Sequence, residues 1–196
     1  MSTVVNSYPT ASPRAVAKVI DHVDHHCARF VELSPFATLA TADAEGFPDV
    51  SPRGGGPGFV RVVDPHTLAL PDRQGNNRVD SLRNLEANPR AALMFFVPGI
   101  EETLRVYGRC RLVAPEEVTL DLTEFGKQPL SVLVMDVERA YFHCAKAVMR
   151  SKLWDPAAQV HRSVFPPMGK VWREHTAGVS PDQADSEMRA ELALEL

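Results

Sequence analysis

No run approaching eighteen consecutive apolar residues occurs in the 196-residue chain, and no charged-then-apolar leader follows Met1. Neither a membrane span nor a signal peptide is therefore expected. Cysteine is scarce and odd in number: Cys27, Cys110 and Cys144 lie far apart, which argues against a disulfide framework and suits a reducing compartment. A cytoplasmic location is the expectation. A net charge of -4 and a pI near 6.0 argue against a general nucleic-acid binder, which needs a net basic face to displace counterions.

Lysine is missing altogether between Lys18 and Lys127, so every guanidinium or ammonium charge from Arg53 to Arg111 belongs to arginine. Two readings stand side by side. Arginine is preferred where a planar donor fork must grip phosphate or carboxylate or stack on a flat ring; a coding bias toward arginine gives the same composition. Position singles out Arg53, Arg73, Arg78 and Arg105.

Several signatures are also missing. The GGGPG run at 54–58 is not followed by Gly-Lys-Ser/Thr, which excludes a Walker A loop in its usual form. No GxGxxG opens a helix, so a dinucleotide-binding βαβ unit is unsupported. Ser51 lacks the GxSxG elbow. His22 and His26 stand four apart and would share one face of a continuous helix, but no HExxH pattern or cysteine pair accompanies them, and a solvated polar face is the better reading. No metal site is expected.

What is present suits one domain spanning 1–196, since 44% hydrophobic residues can bury a proper core. Residues 1–11 read as an arm or a partner-clasping strand. Ser12-Pro13 opens a helix over about 13–33, with Val16, Val19, Ile20, Val23, Cys27, Phe30 and Val31 repeating at three or four. Short strands follow at Phe36–Ala42, Val50–Arg53, Phe59–Val63 and Thr67–Leu70, joined by tight turns as in an antiparallel meander or barrel. A helix over Asn77–Ala87 stops at Asn88-Pro89. Ala91–Val97 reads as a continuous apolar strand in the most buried position. Gly108 suggests a bulge within Thr103–Ala114, and a short helix from Pro115 runs out near Gly126. Leu130–Val137 is the last clear strand. A helical extension covers about 147–196, with a polar helix from Ser180 to Leu196.

Gly54, Gly55 and Gly56 let backbone approach a ligand or turn where a side chain would clash. Thr67–Leu70 empties into Asp72, Arg73, Gly75, Asn76, Asn77 and Arg78, just before a helix N-terminus. Exposed N–H groups and the helix dipole make this an expected anion site.

FATLATADAEGFPDVSPRG, LPDRQGNNRVDSLRNLEANPRAALMF and TLRVYGRCRLV, in that order, resemble the pyridoxamine 5'-phosphate oxidase-like, FMN-binding split-barrel family, well over Phe36–Val113 and more loosely over AVMRSKLWDP at Ala147–Pro156. The resemblance implies a mainly β fold with added helices, a six-stranded antiparallel split β-barrel, and a homodimer holding FMN at its interface. Ser51, Pro52, Arg53 and Gly54 would run along the isoalloxazine ring. Asp72, Arg73, Gly75, Asn76, Asn77, Arg78 and Ser81 would surround the ribityl phosphate, with Arg105 and Lys152 as further contacts. Trp154 would be the buried aromatic lent by the second subunit. The implied activity is an FMN-dependent oxidoreductase acting on an unidentified small molecule, with no nameable side-chain acid or base. A non-catalytic flavin-binding or storage protein and an F420-using relative are the alternatives. The oxidase's lysines near the phosphate are replaced here by arginine and asparagine, which puts a vitamin B6 substrate in doubt.

Overall fold

The computed structural model describes residues 3–73, 75, 78–124 and 126–175. Seven antiparallel strands form its frame: β1 (Phe36–Ala42), β2 (Pro48–Gly54), β3 (Arg61–Asp64), β4 (Thr67–Asp72), β5 (Arg90–Phe96), β6 (Thr103–Val113) and β7 (Ser131–His143). They lie in the order β2-β1-β5-β6-β7-β4-β3. The expected count of six is thus corrected to seven, and no ladder among the described residues joins the β2 and β3 edges. Six helices accompany them there: α1 (Thr3–Asn6), α2 (Pro13–Ala17), α3 (His25–Leu33), α4 (Asp80–Ala87), α5 (Lys146–Ser151) and α6 (Met168–His175). No helix among the described residues is long and apolar enough to cross a membrane.

Strands β1 and β5 bury alternate residues, as a pleated ribbon with one face on a core does, whereas β4 over Leu68–Pro71 and β7 over Val132–Met135 are buried on both faces. In β1, Ala37 and Leu39 are buried, and in β5, Ala91, Leu93 and Phe95. They join Leu68, Leu70, Leu104, Val106, Leu133 and Met135 in the main core, closed over by Cys27, Phe30 and Val31 of α3. The bulge expected at Gly108 is present as a register shift between Tyr107 and Gly108. A Cβ there would run into the Asp136 carbonyl oxygen and lie 2.8 Å from Met135 Cγ, so only glycine lets β6 and β7 approach so closely.

Several expectations need correction. The single helix over 13–33 is two helices. Ile20 instead pairs with Ala140 through two backbone hydrogen bonds of 3.0 and 2.8 Å, and α3 restarts where the Asp24 carboxylate accepts the Cys27 N–H at 2.8 Å. His22 therefore lies outside the helix, 6.0 Å from the His66 ring. β5 is not buried throughout: Ala92, Met94 and Phe96 face away from the core and are half-buried. The last strand is longer than Leu130–Val137, running to His143 because β6 pairs with it over its whole length. The helix expected from Pro115 stops after one turn at Glu117; beyond it an irregular segment crosses the far face of the sheet, anchored where Leu122 packs on Ala69, Val132 and Val134. Within the C-terminal extension, the helix expected from Ser180 lies outside the described residues.

Candidate functional site

The edge strand β2 sets up the site. Its core-facing positions carry Asp49, Ser51 and Arg53, where a strand of the sheet interior would carry apolar residues. Asp49 is engaged locally: its Oδ2 accepts the Ser81 hydroxyl at 2.8 Å, and the Thr41 hydroxyl beside it, 3.4 Å away, accepts from Asn84 at 3.0 Å. This network fastens α4 to β1 and β2. The ends of β2, β4 and α4 then leave a cavity of about 360 Å³ between them, within the usual range for small-molecule sites.

Ser51, Arg53, Gly54, Asp72, Arg73, Gly75, Arg78 and Ser81 all line this cavity, so eight of the residues singled out from sequence come together. Pro52, Phe59, Pro71, Val79, Leu82 and Leu130 supply its remaining, mostly apolar wall. Asn76 and Asn77 lie outside the described residues. Arg105, Lys152 and Trp154 are placed elsewhere. Arg105 projects from the outward face of β6, where it donates to the Tyr141 hydroxyl at 3.4 Å and Tyr141 stands 3.1 Å from the Tyr107 hydroxyl. Lys152 ends α5 in a left-handed conformation, φ 52°. With Trp154 it lines a separate open cavity of about 420 Å³. Trp154 is partly buried, and its indole N–H donates to the Ile100 carbonyl at 2.8 Å.

The three cavity arginines differ in what already holds them. Arg73 is clamped: its Nε faces Glu124 Oε2 at 3.2 Å, and its terminal nitrogens donate to the Leu122 carbonyl at 2.7 Å and the Lys127 carbonyl at 3.3 Å. Arg78 pairs with Asp80 at 2.7 Å, and both side chains are exposed, at 76% and 43%. Arg53 bonds to two neutral partners, the Ser51 hydroxyl and the Pro52 carbonyl. Burial pushes the Asp72 carboxyl above its ordinary value, and the nearby Arg53 charge only partly offsets this. At the start of α4, Val79 offers no side-chain acceptor to the first-turn N–H groups. The cavity therefore combines guanidinium charge and hydroxyl donors with an apolar wall, a set suited to a ligand that is anionic at one end and flat and apolar at the other.

Sequence reasoning missed Glu124, Asp49 and the Tyr107–Tyr141 pair. Glu124 gave no signal, because its partners lie far upstream and its own segment has no periodicity.

The sequence profile of the pyridoxamine 5'-phosphate oxidase family matches residues 23–144. A pyridoxine/pyridoxamine 5'-phosphate oxidase from Anaeromyxobacter dehalogenans (strain 2CP-C) is 35% identical over 100 residues. The match covers 51% of this chain and 46% of that protein, so it spans under half of the relative's length. Two crystal structures of HupZ from Group A Streptococcus share the fold. One, of a single-residue variant of that protein, superimposes with a TM-score of 0.51 at 18% identity, over 62% of this chain and 99% of its own. The other has a TM-score of 0.50 at 20% identity, over 61% and 93%.

Proposed function

Because the chain belongs to the pyridoxamine 5'-phosphate oxidase family, matched over more than half of its length, we propose that the cavity between β2, β4 and α4 holds FMN and that the protein is an FMN-dependent oxidoreductase acting on a small molecule. The observation that carries this reading is the convergence of Arg53, Arg73 and Arg78 with Ser51 and Ser81 on one cavity whose other wall is apolar. Arg78 is the phosphate ligand in this reading. Its partner Asp80 is solvent-exposed, and such a pair is worth only about 0–1 kcal/mol, so a dianionic phosphate displaces it at little cost. The open N-terminus of α4 adds N–H donors and the favourable end of the helix dipole.

Ser51, Pro52 and Arg53 then follow the ring, with Phe59, Pro71 and Leu82 against its apolar surface. Asp72, whose carboxyl burial pushes above its ordinary value, would repel a phosphate when ionised and suits an N–H edge of the ring instead. Bound FMN supplies the hydride or electron chemistry, while the protein orients it and limits water.

The proposed assembly is a homodimer on the split-barrel plan. Gly54, Phe36 and Phe96 are aligned across β2-β1-β5, and Pro52, Thr38, Met94, Arg105 and Tyr141 across β2-β1-β5-β6-β7. Val50 and Phe36 on this outward face are 65% and 41% exposed. A second copy laid here covers an apolar surface and walls the cavity at Pro52 and Gly54, which belong to both. Obligate interfaces of this kind bury roughly 2,000 Å² or more. In such a dimer Trp154 of one copy approaches the ring bound by the other.

The test is the absorbance spectrum of the purified protein, mass spectrometry of what heat releases, and FMN titration beside sedimentation at low micromolar concentration. A colourless protein that takes up no added FMN refutes the cofactor; a monomer refutes the assembly. Rapid reoxidation of the reduced, FMN-loaded protein by an organic acceptor separates an enzyme from a carrier.

A further inference from the structure

A second, smaller cavity of about 70 Å³ adjoins the first, sharing Phe59 and Arg73 with it and bordered by Gly56 and Glu124. The carboxylate of Glu124 is only 18% exposed, and it enters the glycine turn after β2 from a segment 68 residues downstream. There its Oε1 accepts the Gly56 N–H, and its Oε2 faces Arg73 Nε at 3.2 Å. The turn is shaped for this guest. A Cβ on Gly55 would stand 2.7 Å from Glu124 Oε2 and 2.7 Å from Phe59 Cβ, and one on Gly56 would stand 3.0 Å from Glu124 Oε1. Gly54, by contrast, has room: a Cβ there meets nothing closer than the Pro35 carbonyl at 3.5 Å.

The glycine pair therefore accommodates an anion belonging to the chain itself. Arg73, at 23% exposure, answers it, and each of its terminal nitrogens donates to a carbonyl, of Leu122 and of Lys127. Taking Arg73 away for a ligand would strip a largely buried carboxylate of its ion-pair partner, a costly change. Arg78 instead pairs with an exposed carboxylate, which water can resolvate, and Arg53 bonds to neutral groups.

We propose that Glu124 is a positioning residue of the ligand cavity: seated in the Gly55-Gly56 turn, it holds Arg73 as a fixed wall, so that Arg78 meets the ligand's anionic group and Arg53 follows its ring. The proposal builds on the cavity being a ligand site, as above. Glu124 also ties the irregular segment after β6 to the β2 and β4 ends, so the wall and the segment move as one.

The experiment replaces the carboxylate and then returns it in solution. Glu124→Ala should melt several degrees below the parent and bind FMN on the order of tenfold more weakly, as removal of a charged hydrogen-bond partner does. Acetate at tens of millimolar should restore both, because it refills the vacated niche, whereas chloride at equal ionic strength should not. The double variant Glu124→Ala/Arg73→Ala should show no acetate response. Glu124→Gln keeps the shape without the charge, and should stay weakened in acetate; it also serves if the alanine variant fails to fold. Parent-like melting and FMN affinity in both variants would overturn the proposal, as would a loss that acetate leaves untouched. A parent that takes up no FMN would refute the cofactor instead, and the melting response to acetate would still decide the role of Glu124.

Discussion

Replacing Arg78 with alanine separates ligand binding from folding. Its ion-pair partner is Asp80, two residues on and itself solvent-exposed, and an exposed ion pair contributes only about 0–1 kcal/mol. For a chain of this size that corresponds to a shift of roughly 2–4 °C at most in melting temperature. A phosphate-paired arginine is another matter. A hydrogen bond to a charged group is worth about 1.5–3 kcal/mol, or roughly 10- to 150-fold in dissociation constant at 1.36 kcal/mol per decade. Flavin titration of parent and Arg78→Ala, followed by fluorescence quenching and paired with melting curves without ligand, reads both quantities. The expected result is a large loss of affinity on a nearly unchanged melting temperature. Equal affinity in the two proteins removes Arg78 from the site, and a melting loss matching the affinity loss shows that the residue acts through folding.

Three further outcomes follow from local geometry. Asp72→Asn should raise the melting temperature near pH 7: burial raises the folded carboxyl above its ordinary value of 3.8, so the folded state binds the proton more tightly and loses stability as pH rises through that interval. The gain should vanish below about pH 3.8, where the carboxyl is protonated in both states, and a variant equal to the parent at pH 7 refutes the account. Gly108→Ala should cost at least the roughly 1–3 kcal/mol of an overpacked core, because the added methyl meets the backbone carbonyl of Asp136, and urea unfolding measures it. In native protein a maleimide should label Cys144, which is exposed, and leave Cys27 and Cys110, whose thiols burial pushes up to about 12; all three should react in denaturant, and fast native labelling of Cys27 would contradict its place in the core.

Local chemistry made much of this molecule legible in advance. FATLATA alternates and becomes a strand with alternate residues buried; Gly108 announced the bulge that the β6 and β7 register then shows. The cavity was visible because its contributors sit in two short stretches, 51–54 and 72–81, each with turn or capping chemistry that needs no distant partner to interpret. The helix over 13–33 failed for the opposite reason. Val16, Val19, Ile20 and Val23 do carry a helical spacing, but the backbone of Ile20 is claimed by Ala140, and a tertiary contact between distant segments outweighs a weak local propensity. Glu124 was hidden in the same way, since the turn that receives it could be read as glycine-rich but not as occupied.

The misreading of β5 has a different physical origin. Arg90–Phe96 is apolar at almost every position, which in a sequence signals a strand buried on both faces. Within one chain only Ala91, Leu93 and Phe95 reach the core, while Ala92, Met94 and Phe96 stand on the outward face beside Phe36 and Tyr107. Water is a poor neighbour for such a surface, and a contiguous apolar patch on a sheet generally marks an interaction site. The pattern in β5 is therefore coherent if the second face is buried by another molecule. The proposed second copy meets that need where it also matters for the ligand, because β2, at the margin of the same face, presents Val50 and Pro52 outward while Ser51 and Arg53 point into the cavity. One strand then serves both surfaces, which meet at Pro52 and Gly54.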